Sequence, residues 1–241
     1  EETDTIVNMH IGSSSKMPST SPDAPFSVSS TLTFSNAMGS MCDYILSGMF
    51  VRFPRLKIAY AEGQVGWMPY VIERMDKIWA ERGDASFGID LPDPPSSYIQ
   101  GHIWGCIFDD EIGLRNRDVI GMDQICFEVD FPHADTTYPH TLEVATRICT
   151  NAGLDDDEVY KFIRGNAIEA FGLHRFGIGH PPRQQLRRDL GARRTARLPF
   201  FLEQRLEESL LAQFVRPRHR CTPVLPCGPQ ARGPGPACHV R

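Results

Sequence analysis

The sequence predicts an α/β protein built on parallel strands, and three observations lead there. Four short apolar runs of strand length recur along residues 1–130. Each is followed by a segment whose apolar residues fall at helical spacing, so the strands are joined by helical crossovers and must run parallel. Three of the four runs finish on a polar residue, His10, Glu62 or Asp130, that a buried strand would not choose.

The first run, Ile6 to Ile11, stops at Gly12 and reads as a buried strand. A Ser/Pro loop from Ser13 to Pro25 follows. Residues 27–51 then show helical spacing, with Pro54 beyond their end. The second run, Leu56 to Glu62, stops at Gly63. Residues 66–82 predict an amphipathic helix with Trp67, Val71, Met75 and Ile78 on one face. A Pro/Asp loop spans Asp90 to Pro95. The third strand runs from His102 to Phe108, with a short helix near 110–120. The fourth, Gln124 to Asp130, is broken at once by Pro132. Helices follow at about 140–151 and 156–171, the second opened by Asp155, Asp156 and Asp157, whose charge suits a helix N-terminus. The right-handed crossover rule makes the four strands neighbours in sequence order, with helices on one outer side. Four such units do not close an eight-stranded barrel, and no Gly-rich phosphate loop is present.

The 241 residues have a formal net charge of −5 and a pI near 5.9, neither of which points to nucleic acid or an anionic membrane as partner. That average hides two regions. Residues 1–180 hold 13 Lys and Arg against 26 Asp and Glu, a net of −13. Residues 181–241 hold 12 Arg, no Lys and 4 acids, a net of +8. The division sets residues 1–180 as one domain and 181–241 as a basic, Arg/Pro-rich tail, helical in part over 183–213 and disordered beyond 216. No apolar run approaches the roughly 20 residues that span a bilayer. The chain opens without a signal-peptide pattern. The seven cysteines form no CxxC pair; Cys42, Cys106, Cys126 and Cys149 lie in apolar patterns and read as reduced core thiols, the usage expected of a cytoplasmic protein.

In parallel α/β folds the C-terminal strand ends face the ligand site. A His, a Glu and an Asp gathered there can bind a divalent metal and move a proton. Each alone has a plainer reading: a strand-end His held by hydrogen bonds, or an Asp capping the next helix.

The order of motifs adds to this. The stretches Asn8 to Ser15, Gly48 to Ile58, Ala61 to Tyr70 and Glu73 to Asp76, with Val129-Asp130-Phe131-Pro132-His133-Ala134-Asp135 and Gly165-Asn166-Ala167, resemble the amidohydrolase-related family over about residues 1–178. That group includes aminocarboxymuconate-semialdehyde decarboxylase-like enzymes. The resemblance implies a TIM (β/α)8 barrel of which this chain carries roughly strands five to eight. It also implies a divalent metal, usually zinc, at the C-terminal mouth. Carried over residue by residue, His10 is the fifth-strand metal ligand and Asp130 the eighth-strand ligand, with Asp130 also placed for catalysis. Glu62 stands where many decarboxylase-type members have a His acting as acid or base. A carboxylate can replace it if burial raises its pKa, and the departure leaves hydrolysis and decarboxylation both open.

His133 and Asp135 are weaker candidates for substrate contact. So is Trp67, whose spacing with Val71 and Met75 favours core. His102 starts its strand and reads as structural at the far mouth; Arg52 and Arg55 read as solvated. The implied reading is a metal-dependent hydrolase or carboxy-lyase acting on a small organic acid or ring-derived substrate. The first-strand ligand pair of the family is expected to be missing here, which would leave the chain inactive, its open edges prone to pair with a second copy. The tail is expected to be foreign to the family, as an out-of-frame end would be. Two readings from other classes stand beside this one: a non-catalytic fragment of such an enzyme, and a binding protein acting through the basic tail.

Overall fold

A computed structural model describes residues 2–181, apart from residues 12, 15, 84–87 and 89. Its strands are β1 (Val7–His10), β2 (Ile58–Ala61), β3 (Ile103–Ile107) and β4 (Ile125–Phe127). They form one sheet in the order β1-β2-β3-β4, every neighbouring pair parallel. The expected sequence order and sense therefore hold. The basic tail expected over 181–241 lies, from residue 182 on, outside the described residues.

The helical connections are α1 (Phe26–Leu32), α2 (Ser35–Leu46) and α3 (Met49–Arg52) after β1, and α4 (Met68–Arg82) after β2. Then come α5 (Glu111–Arg115) and α6 (Arg117–Ile120) after β3, and α7 (Thr141–Asn151), α8 (Asp156–Tyr160) and α9 (Asn166–Ala170) after β4. The single helical stretch expected over 27–51 is thus three helices. The reason is local. Thr33 and Phe34, between α1 and α2, keep right-handed helical backbone, and the Thr31 and Thr33 hydroxyls bonding back to the Ser27 and Ser29 carbonyls bend the helix there. Gly48 then takes a left-handed φ of 69° between α2 and α3.

Side-chain alternation gives the sheet two apolar faces. Ile58, Tyr60, Ile103, Ile107 and Ile125 face the helices and pack with Met41 and Ile45 of α2, Met68 and Met75 of α4, and Ile148 of α7. Ala59, Trp104, Cys106 and Cys126 form a smaller cluster on the other face with Ile6 and Ala170. By the same alternation His10 shares that second face, paired in register with Ala61. β2, β3 and β4 are largely buried, whereas β1, at one edge, is largely exposed.

Two ties fix the C-terminal helices. Asp155 caps α8 in a reciprocal capping box with Glu158. A π-helical turn, Lys161–Gly165, separates α8 from α9. Buried Asn166 then donates through Nδ2 to the Met122 and Ile125 carbonyls, both at 2.7 Å. Cys42, Cys106, Cys126 and Cys149 are free thiols, Cys42 half-buried and the other three buried.

Candidate metal centre

His10 is the last residue of β1, as expected, but Glu62 and Asp130 do not end strands. Glu62 lies one residue beyond β2 and Asp130 three beyond β4. Pairing of β4 stops early because β3 stops: Glu128 N–H donates to Ile107 O at 2.9 Å, and Phe108 to Asp110 then lead into α5. The chain after Glu128 folds into a turn closed by Thr136 Oγ1 and Thr137 N–H on Val129 O. Both acids take left-handed backbone, φ 60° at Glu62 and 56° at Asp130. For residues with a Cβ this costs on the order of 1 kcal/mol or more, and such strain gathers at functional sites.

The turn at Glu62 is held by its surroundings. Glu62 N–H donates to Glu128 Oε1 at 2.6 Å. Val65 N–H and Gly66 N–H both donate to Asp110 Oδ2, and Gly113 N–H donates to Asp110 Oδ1. The loop lies so close that a Cβ on Gly66 would come 2.7 Å from Asp110 Oδ1, and one on Gly105 2.1 Å from Val65 Cγ1.

These turns bring four side chains together. His10 Nε2 lies 2.9 Å from Glu62 Oε1. His133 Nδ1 lies 2.7 Å from Asp130 Oδ1 and 3.8 Å from Glu62 Oε1. The two imidazole rings stand edge to face, centroids 6.5 Å apart. Ligand atoms of Glu62, Asp130 and His133 all fall within 4.8 Å of one another. The carboxylates form the floor, with side chains 15% and 5% exposed, and the imidazoles the rim, at 64% and 60%.

The electrostatics follow from that crowding. Burial, then the neighbouring Asp130 charge, raises the Glu62 carboxyl above its ordinary range, with His10 opposing. The hydrogen bond that the His133 imidazole gives to the Asp130 carboxylate, with that carboxylate's charge, raises the imidazole. Burial pushes Glu128 up to about 8; the negative charges of Glu62 and Asp130 add to the rise, and the Glu62 N–H opposes it.

Of the other expected residues, Trp67 packs half-buried against the helix-side core with its indole N–H on Gly63 O at 2.8 Å. Asp135 is exposed, two residues past His133. His102 sits one residue before β3, its Nδ1 2.8 Å from Leu56 O and its ring on Phe50. Arg52 is exposed, its guanidinium 5.9 Å from the Phe53 ring centroid. Sequence reasoning passed over Glu128 and Asp110. For Glu128 a signal existed: an acid two residues before Asp130, interrupting an apolar strand.

Parallel strands with a carboxylate–imidazole cluster at their C-terminal mouth define an α/β protein with a cation-competent site. The chain matches the amidohydrolase family over residues 1–173 and belongs to that family. Its fold is similar to that of an amidohydrolase from Mycobacterium avium subsp. paratuberculosis K-10, with a TM-score of 0.55 and 20% identity over 71% of this chain and 43% of that one. Weaker likenesses are to 5-carboxyvanillate decarboxylase LigW from Sphingomonas paucimobilis (TM-score 0.48, 23% identity, 65% and 44%) and to a dihydroxybenzoic acid decarboxylase from Polaromonas sp. JS666. The latter was solved with bound manganese and the inhibitor 2-nitroresorcinol (TM-score 0.46, 22% identity, 61% and 42%). The chain spans less than half the length of each of these structures.

Proposed function

We propose that this chain carries the acid–imidazole mouth of a metal-dependent hydrolase or carboxy-lyase acting on a small organic acid or ring-derived substrate. The observation that carries this reading is the meeting of Glu62, Asp130 and His133 within 4.8 Å, beyond the C-terminal ends of parallel strands. Two carboxylates and an imidazole suit a divalent ion such as zinc, so the residues present fit the group. Asp130, Glu62 and His133 would hold it, with His10 adjoining through Glu62. When bound, such an ion supplies Lewis-acid polarisation and a more acidic water. In this reading β1 to β4 correspond to strands five to eight of the family barrel, and residues 1–180 to one domain.

The chain's own groups supply the proton chemistry. Without an ion, Glu62, raised by burial and by Asp130, can hold a proton where an ordinary carboxyl would have lost it, and it gives that proton up when it ligates one. His10 Nε2, 2.9 Å away and open to solvent, is placed to exchange that proton with the mouth. Asp130 orients the His133 ring through its 2.7 Å contact. The rim imidazoles can also pair with an anionic carboxylate substrate when protonated.

Zinc and manganese titrations by chelator competition test the reading. Asp130→Ala and Glu62→Ala should each weaken binding at least about tenfold, and His133→Ala by a smaller factor. Assays on a panel of small and aromatic carboxylic acids, following carbon dioxide release and hydrolysis separately, then divide lyase from hydrolase. Metal affinity untouched by both carboxylate substitutions would sink the proposal.

A further inference from the structure

The hydrogen bond from Glu62 N–H to Glu128 joins residues 66 positions apart in sequence and belongs to strands that are not neighbours. Glu62 follows β2 and Glu128 follows β4, with β3 between them. Two strand spacings are roughly 9.5 Å, so the Glu128 side chain reaches across the end of β3. The face it crosses carries Cys106 and Cys126, which are register partners with short side chains. The bond also closes the ladder at an awkward point. Ala61 O is taken by Ile11 N–H from β1, and Glu62 then leaves the sheet at φ 60°. By the alternation that has Ile58 N–H donate to His102 O, the Glu62 N–H falls on the β3 side just past the last β2–β3 pair, Tyr60 with Gly105, and the Glu128 oxygen takes it there.

We infer that Glu128 is the positioning residue of this site: by accepting the Glu62 N–H it fixes the left-handed turn that points the Glu62 carboxylate at His10 and Asp130. The inference rests on the reading of Glu62 as a site acid and adds a residue outside the cluster itself. What the turn needs is an acceptor oxygen at that place. A Gln carbonyl oxygen can supply it and an Ala cannot. Loss of the acceptor lets Glu62 relax toward ordinary extended backbone, and its carboxylate then swings off the floor of the mouth.

The test compares Glu128→Ala, Glu128→Gln and Glu62→Ala with the unsubstituted chain. One readout is NMR amide exchange at Glu62, referenced to Tyr60 in β2; the other is zinc affinity by chelator competition. Glu128→Ala should speed exchange at Glu62 relative to Tyr60, and weaken zinc, by about tenfold or more each, whereas Glu128→Gln should stay within about threefold on both. Unchanged relative exchange in Glu128→Ala overturns the inference. So does Glu128→Gln behaving like Glu128→Ala, since an oxygen acceptor alone would then not suffice. So does equal acceleration at Glu62 and Tyr60, the mark of a general loosening of the sheet. If Glu62→Ala leaves zinc affinity unchanged, the site reading of Glu62 fails, while the exchange arm still decides whether Glu128 holds the turn.

Discussion

At the scale of single residues, the site is a crowd of acids in which Glu128 is the most perturbed, and its cost is readable as pH dependence. In the unfolded chain its carboxyl titrates near 4.5; in the folded protein near 8. Between those values the native state keeps a proton that the unfolded state has released, so unfolding free energy falls as pH rises. The slope is at most about 1.4 kcal/mol per pH unit. His133, raised by Asp130, acts in the same direction: its contribution is full below the ordinary imidazole range and is lost as pH rises through the folded value. Urea unfolding of the metal-free protein should therefore show lower stability at pH 8 than at pH 5, and Glu128→Gln should flatten most of that slope. An unchanged slope would mean that Glu128 does not carry the proton. Part of this site was legible in the sequence. His10, Glu62 and Asp130 could be read because each adjoined an apolar run. His133 could be named only weakly, because its approach depends on the turn after Asp130. Glu128 was missed because a lone acid within an apolar run does not reveal which neighbour its side chain will meet.

At the scale of elements, the segment from Glu62 to Trp67 is set by Asp110, which opens α5 as its N-cap. One carboxylate accepts three backbone N–H groups there, two of them from the β2–α4 connection. Asp110→Asn leaves one acceptor oxygen and turns an amide donor toward other donors. The expected cost is about 2–3 kcal/mol by chemical denaturation, and a change under about 0.5 kcal/mol would show that the loop is held by packing alone. Gly105→Ala should also destabilise, since its Cβ would fall 2.1 Å from Val65 Cγ1. The four strands and the helix over 66–82 were legible because their apolar period is local information. The division of 27–51 into three helices was not, since it depends on hydroxyls turning back on the backbone. Nor was the early end of β4, which is decided by where β3 ceases to offer a partner.

At the scale of the whole molecule, the question is which part of the chain folds as a unit. Among the described residues, the two faces of the sheet draw their buried residues from Ile6 to Ala170. Asn166 ties α9 to β4 from inside that span, and the family match ends at residue 173. The charge boundary near residue 180 falls just beyond. We propose that the domain ends near there: the end of the family match and the change in charge support it. Deleting residues 182–241 should shift the thermal midpoint by no more than about 2 °C, less than roughly 1 kcal/mol for a unit of this size. It should also leave zinc affinity unchanged, since His10, Glu62, Asp130 and His133 all precede the cut. The net charge of the remainder falls from −5 toward the −13 of residues 1–180, so elution on anion exchange should move to higher salt even as the midpoint stays. A midpoint lower by about 8 °C or more in the shortened chain would mean that the last sixty residues contribute to the core, and the domain boundary would have to move.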